Sequence, residues 1–318
     1  MLKKILNLFL LPLFLTAEEA PQPILEAGRP GNTWGFYTTL EYLCWKTFQS
    51  GTEYAYSSNA PLLNGESKEV DFGFHGGIRP GIGATLPYDN WELHLFYTYF
   101  RNPKKEECQG NLFPLLAAQA LFQTTSVRRA KIDALLRFQM LDFEISRPSY
   151  LSHAMLFRPF FGPRVGWVDQ EFDVTYFSAD LYKIAIDNAF WGGGVRVGSE
   201  LIAELGKGFF LNGQMAFSAL WGDLEITQKQ YLAERKVIDL EKKSSRMVPL
   251  VDLQAGIGWG IWFNANRNHF ALTLDYEMQY LWNITQYARF PENSSLNTIR
   301  IGKDIGIHGV TIKGRMDF

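Results

Sequence analysis

The last eleven residues, His308 to Phe318, alternate in polarity and stop on an aromatic carboxyl terminus. His308, Val310, Ile312, Met316 and Phe318 share one parity, with Gly314 neutral among them; Thr311, Lys313, Arg315 and Asp317 take the other. Successive side chains of a strand point to opposite faces, so this segment is a strand with one apolar and one charged surface. A soluble domain rarely ends its chain on an apolar strand without a polar tail. The closing strand of an outer-membrane barrel does, because that end lies at the membrane interface. The expectation is a closed sheet in an outer membrane, with Phe318 as its terminal assembly signal.

The other end of the chain agrees. Lys3 and Lys4 precede an apolar run from Ile5 to Leu15, followed by the small residues Thr16 and Ala17. That is the charge, length and cleavage pattern of a signal peptide over residues 1–17. A membrane-spanning helix needs about 20 apolar residues, and this run is shorter and is followed by Glu18 and Glu19. Residues 18–32 then read as a short periplasmic segment and 33–318 as a transmembrane barrel. The two cysteines, Cys44 and Cys108, exclude a disulfide scaffold, and no metal-ligand spacing occurs. No cofactor is expected. Removal of Lys3 and Lys4 leaves a mildly acidic chain, which argues against a nucleic-acid partner.

Reading for a period of two gives ten segments, roughly 33–48, 69–86, 90–101, 125–147, 150–170, 188–205, 208–228, 246–263, 268–288 and 302–318. Tight, turn-forming connections at 87–90, 147–149, 206–208 and 264–268 alternate with long polar ones at 49–68, 102–124, 171–187, 229–245 and 289–301. Short periplasmic turns, longer outer loops and an even strand number are the habit of outer-membrane barrels. The predicted fold is therefore all-β: an antiparallel up-and-down transmembrane barrel of about ten strands with both termini periplasmic. Eight or twelve strands also fit, and 171–188 has room for a further hairpin.

The apolar parity marks the lipid face. In the first strand Trp34, Phe36, Leu40, Tyr42 and Cys44 oppose Tyr37, Thr39 and Glu41. In the ninth, Phe270 to Trp282 at even positions oppose Thr273, Asp275, Glu277 and Gln279. A soluble barrel would carry the same parity inverted, with the apolar set inside. The terminal Phe318, the leader and the aromatic residues near strand ends choose lipid outside. The fourth strand changes phase: Ile132 to Met140 at even positions are apolar, then Leu141, Phe143 and Ile145 take over. An extra residue near Leu141 and Asp142, a β-bulge, is the expected cause.

With the strands laid out, several phrases carry a resemblance: Thr39-Leu40-Glu41-Tyr42-Leu43-Cys44-Trp45-Lys46, Gly77-Ile78-Arg79-Pro80-Gly81-Ile82-Gly83, Asn90-Trp91-Glu92-Leu93, Leu141-Asp142-Phe143-Glu144-Ile145 and Phe157-Arg158-Pro159-Phe160-Phe161-Gly162. The closing Val310 to Phe318 completes the series. Together they resemble the pore-forming, major-outer-membrane-protein-like family of Legionella and the Chlamydia-related bacteria. The resemblance implies a porin in the bacterial outer membrane, with no catalytic residues to carry over. The cysteine count departs from the chlamydial major protein, so a disulfide-linked envelope network is not expected.

Inward charges cluster near mid-height: Arg79, Arg158 and Arg196 from the second, fifth and sixth strands, and Glu41, Asp275, Glu277 and Lys313 from the first, ninth and tenth. These are the expected pore-lining residues, a basic wall facing a mostly acidic one. The alternative is that they pair and fill a lumen that, at ten strands, lies near the filled limit. The expected function is a narrow porin passing ions or small polar solutes, the alternative a surface structural or adhesive barrel with an occluded lumen. No enzyme is expected: Asp71 and His75 share a face but lie about 13 Å apart from rise alone. The apolar stretch Leu112 to Phe122 suits an inward plug, a protomer contact or a short amphipathic helix. Expected partners are outer-membrane lipid, the barrel-assembly machinery through the last strand, and small solutes; a homo-oligomer is left open.

Overall fold

The computed structural model describes residues 34–58, 65–87, 89–117, 126–178, 180–264, 267–289 and 299–318. The leader and the periplasmic segment expected at 1–32 lie outside these residues, as do 118–125 and 290–298 of two outer connections.

Thirteen strands form one antiparallel sheet: β1 (Gly35–Gln49), β2 (Ala55–Ser58), β3 (Gly65–Lys68), β4 (Phe74–Thr85), β5 (Glu92–Pro114), β6 (Val127–Ser146), β7 (Ser149–Ser152), β8 (Met155–Phe177), β9 (Leu181–Gly206), β10 (Phe209–Leu232), β11 (Arg235–Phe263), β12 (Asn268–Arg289) and β13 (Ile299–Asp317). Ten of them close a ring in the order β1-β13-β12-β11-β10-β9-β8-β6-β5-β4 and back to β1. The expected count holds. The remaining three are short: the β2–β3 hairpin rides on the outer end of β5, and β7 pairs with the start of β8.

Three of the four tight connections lie where the turn chemistry puts them; the one expected at 147–149 does not, because pairing with β8 continues past Arg147 through β7 and the chain reverses at 153–154 instead. Gly206, Lys207 and Gly208 all have positive φ, as do Asp89 and Asn90 in the β4–β5 turn. The long loops predicted at 102–124, 171–187 and 229–245, however, are mostly strand among the described residues. β8 runs on to Phe177 and β9 begins at Leu181, while β10 and β11 meet at a two-residue turn whose Ala233 and Glu234 both have positive φ. That is the turn type whose twist suits a hairpin.

The reason is a reversal of polarity along each strand. On β10 the outward residues Phe209, Leu211, Met215, Phe217 and Trp221 are all at least 45% exposed, and Asp223, Glu225, Thr227 and Lys229 continue the same face. Inward, Leu220, Leu224 and Ile226 are buried. On β8, Phe161 and Trp167 face out, followed by Asp169, Glu171 and Asp173; Val168, Phe172, Val174 and Tyr176 face in. The apolar band from Phe209 to Trp221 is about 30 Å tall at a tilt near 40°, the thickness of a bilayer core. Beyond it the wall stands in water, and there the pattern inverts to that of a soluble barrel. Trp167 and Trp191 face each other directly across β8 and β9 at this boundary, where amphipathic rings are favoured.

The same reversal removes the bulge expected at Leu141 and Asp142. β6 keeps its register there, Tyr97↔Leu141, Phe96↔Asp142 and Leu95↔Phe143 on one side and Asp142↔Arg164 then Ile145↔Phe161 on the other. Ile132 to Met140 point inward at the outer end, and Asp142, Glu144 and Ser146 continue that inward face in the membrane. The chain changes surroundings without changing phase. Cys44 lies on the outward parity of β1 and Cys108 on β5, both as free thiols.

Candidate functional site in the lumen

The interior of the barrel is built in layers, which can be read off β8 from the periplasmic end: Leu156, Arg158, Phe160, Arg164, Val168, Gln170, then Phe172, Val174 and Tyr176. Each belongs to a band that runs around the wall.

The charged band contains every pore-lining residue expected from sequence. Glu41, Arg79, Arg158, Arg196, Asp275 and Glu277 are each less than a tenth exposed, and Lys313 is half-buried beside them. Their arrangement differs from the two opposed walls predicted. Arg79 donates from Nη1 to Glu41 (2.6 Å) and from Nη2 to Glu277 (2.8 Å), and its guanidinium lies 5.2 Å from the Trp45 ring centre. Glu41 is the direct register partner of both Arg79 and Lys313, so these charges are neighbours in the wall rather than opposites across it. Asp275 accepts instead from neutral groups, Asn212 (2.7 Å) and Thr273 (2.9 Å). Sequence parity located the charges but could not show which strands curl close enough to pair.

Arg158 and Arg196 find carboxylates the sequence reading did not single out. Arg158 binds Glu200 (2.7 Å) and Glu92 (3.5 Å). Arg196 pairs with Glu144 and with Asp252 (3.2 Å), its guanidinium 5.0 Å from the Phe160 ring centre and 5.6 Å from that of Phe96. Arg164, also missed, joins Asp142 to Asp252 (2.9 Å). Arg315 lies 3.9 Å over the Tyr37 ring and binds Asp317 (2.7 Å). Asp142, Glu144 and Arg164 could have been found by continuing the inward parity of β6 and β8 through the apparent phase change. A buried charge is tolerated only when paired and hydrogen-bonded, and each of these arginines reaches at least one carboxylate. The chamber lined by Arg79, Arg158, Arg164 and Arg196 holds about 30 Å³ open to the centre of a water molecule, room for two or three waters.

Above the charges the lumen is apolar. Leu43, Trp45, Phe100, Leu136, Phe138, Met140, Phe190 and Leu220 belong to a buried cluster drawn from nine of the ten ring strands, β4 alone contributing nothing among the described residues. This is a septum across the barrel. Beyond it come buried amides and hydroxyls, and then a second apolar cluster that caps the outer end along β5, β6, β8 and β9. Leu112, Leu116 and Ala117 are part of that cap. The apolar stretch after 111 thus folds inward as far as 117; its continuation to Phe122 lies outside the described residues. Asp71 and His75 form no dyad: Asp71 precedes β4, is exposed and pairs with Lys46 (2.7 Å).

A closed ring of ten antiparallel strands, an outward apolar band of membrane thickness and a charged interior define an outer-membrane β-barrel. The family model described as the Legionella pneumophila major outer membrane protein precursor matches residues 29–318, so the chain belongs to that family and is a protein of the bacterial outer membrane. The match is to the Legionella family. No curated protein matches the chain. Similar solved structures include the outer membrane protease OmpT from Escherichia coli, at 10% identity and TM-score 0.44 over 89% of this chain and 96% of that one. The toluene transporter TodX of Pseudomonas putida follows at 9% identity and TM-score 0.31, over 93% and 91%. A major outer membrane protein from Thermus thermophilus stands at 10% and 0.31, over 90% and 99%. At these scores no activity is carried from any of them.

Proposed function

We propose that this protein is an outer-membrane barrel whose lumen is closed to hydrated ions, and that it serves as a rigid wall element displaying its water-exposed outer half at the cell surface. The observation that carries this reading is the apolar septum. Leu43, Phe100, Leu136, Phe138, Leu220 and Leu281 are each fully buried and come from β1, β5, β6, β10 and β12, so the barrel axis is filled with hydrocarbon at that level. An ion crossing it would shed water with no opposite charge or carbonyl ring to replace it. The paired charges below act, in this reading, as internal cross-braces between strands.

A second reading is the narrow porin implied by the family resemblance. It is favoured by the charged chamber itself, where Arg79, Arg158 and Arg196 with Glu41, Glu277 and Lys313 surround a small polar space under the septum. For that reading Arg79→Glu or Arg158→Glu alters ion selectivity in a conducting protein.

Swelling of proteoliposomes in small sugars and amino acids separates the two. The closed barrel gives no swelling above protein-free vesicles. Swelling that depends on solute size supports the narrow porin and overturns the closed reading. In both readings the protein is not an enzyme. The outward band meets lipid, and the last strand with Phe318 is recognised during barrel assembly.

A further inference from the structure

We propose that the amide layer between the septum and the outer cap is an internal binding site for water-sized, uncharged hydrogen-bonding molecules. The proposal rests on the closed-lumen reading, because it requires a site walled off above and below.

Four side chains form the layer, Gln49 from β1, Gln170 from β8, Asn188 from β9 and Thr285 from β12, and all but Gln170 line the gap within it. Gln170 is 1% exposed, Asn188 2% and Thr285 1%. Gln49 donates through Nε2 to Gln170 Oε1 (3.0 Å) and to Thr285 Oγ1 (3.2 Å), and Thr285 Oγ1 donates to Gln170 Oε1 (2.8 Å). Those bonds use one end of each glutamine. Gln170 Nε2, Gln49 Oε1 and both polar atoms of Asn188 are left without a partner among the described residues. Gln170 and Asn188 are direct register partners on adjacent strands, so their orphan groups are presented side by side.

A buried amide without partners is strongly disfavoured relative to one in water. One such group would be a local defect; donors and acceptors orphaned together in one layer make a complementary surface. Exchanging the oxygen and nitrogen of any of these amides still leaves both donors and acceptors to satisfy, so the conclusion does not depend on amide orientation.

The size and charge of the occupant follow from the lining. The gap is bounded by Gln49, Thr52, Asn188 and Thr285 and by the apolar Ile132 and Phe172, among others, and offers about 20 Å³ to the centre of a water molecule. One water needs about 10–15 Å³ on that measure, so the site takes one or two. Among the described residues no charged side chain lines it. A molecule that both donates and accepts is matched there, whereas an ion would sit between two apolar clusters without a counter-charge.

The test uses the full-length folded protein in detergent micelles, selectively labelled with ¹⁵N-asparagine. The side-chain amide of Asn188 is assigned by its disappearance in Asn188→Gln. A water-to-amide Overhauser effect of the sign given by a long-lived bound water is expected at that group in the wild type. Its absence from the resolved Asn188 signal overturns the proposal. Water relaxation dispersion supplies a second readout: Asn188→Leu is expected to lose one or two long-lived internal waters, and equal amplitudes in a folded variant also overturn it. Should Asn188→Leu not fold, the wild-type Overhauser measurement still decides. Neither readout depends on conduction: a conducting barrel rejects the closed lumen and with it this walled-off site, whereas a silent barrel without water at Asn188 rejects this site alone.

Discussion

The charged band shows what a single residue does inside such a barrel. Arg79 is 7% exposed and lies between Glu41 and Glu277. Truncating it leaves two buried carboxylates without their cation, and removing one partner of a buried ion pair typically costs about 3–5 kcal/mol. Arg79→Ala is therefore expected to lower unfolding stability in lipid vesicles by about that much, measured by urea titration. A loss under about 1 kcal/mol would mean that water reaches both carboxylates. Glycines are the counterpart of these large inward groups. A Cβ on Gly83 would overlap the Tyr37 ring, while one on Gly213 would meet nothing closer than a carbonyl oxygen at 4.0 Å. Overpacking of this kind costs about 1–3 kcal/mol. Gly83→Ala should thus destabilise the barrel clearly and Gly213→Ala hardly at all, a contrast thermal unfolding of the pair can check.

Each strand crosses two solvents, and this decides what a substitution does along it. On β12, Leu274 points outward within the apolar band at 51% exposed, whereas Asp173 on β8 points outward beyond it. An arginine at mid-bilayer costs about 2–4 kcal/mol and very little past the interface. Leu274→Arg is expected to reduce stability by that amount and Asp173→Arg to leave it nearly unchanged; similar effects at both sites would misplace the membrane boundary. The double environment also explains how far the sequence could be read. The strand number, the closing β1–β13 pair and the lipid face were legible, because outward apolar alternation is unbroken wherever the wall meets lipid, as in β12. The outer halves of β8 to β11 read as polar loops, since their charges sit on the parity that is greasy a few residues earlier. The apparent bulge in β6 has the same origin. Inward parity found Glu41, Arg79, Arg158, Arg196, Asp275, Glu277 and Lys313, and it passed over Arg164 and Asp252. It was silent on pairing, because ring curvature decides which strands approach, and that is not a property of any one strand.

At the scale of the whole molecule, the lumen is a stack of charged, apolar, amide and apolar layers inside a wall of ten strands. Ten strands enclose little more than the space side chains fill, and here large residues such as Trp45, Phe100, Phe138 and Phe190 fill it. In the closed-lumen reading this stack leaves no continuous path for ions. Single-channel recording of purified, demonstrably folded protein in a planar lipid bilayer tests it most directly. A closed lumen gives silence in molar salt from the wild type. Reproducible unitary steps from the same preparation would contradict it and would mean that the septum of Phe138 and Leu220 opens in the membrane.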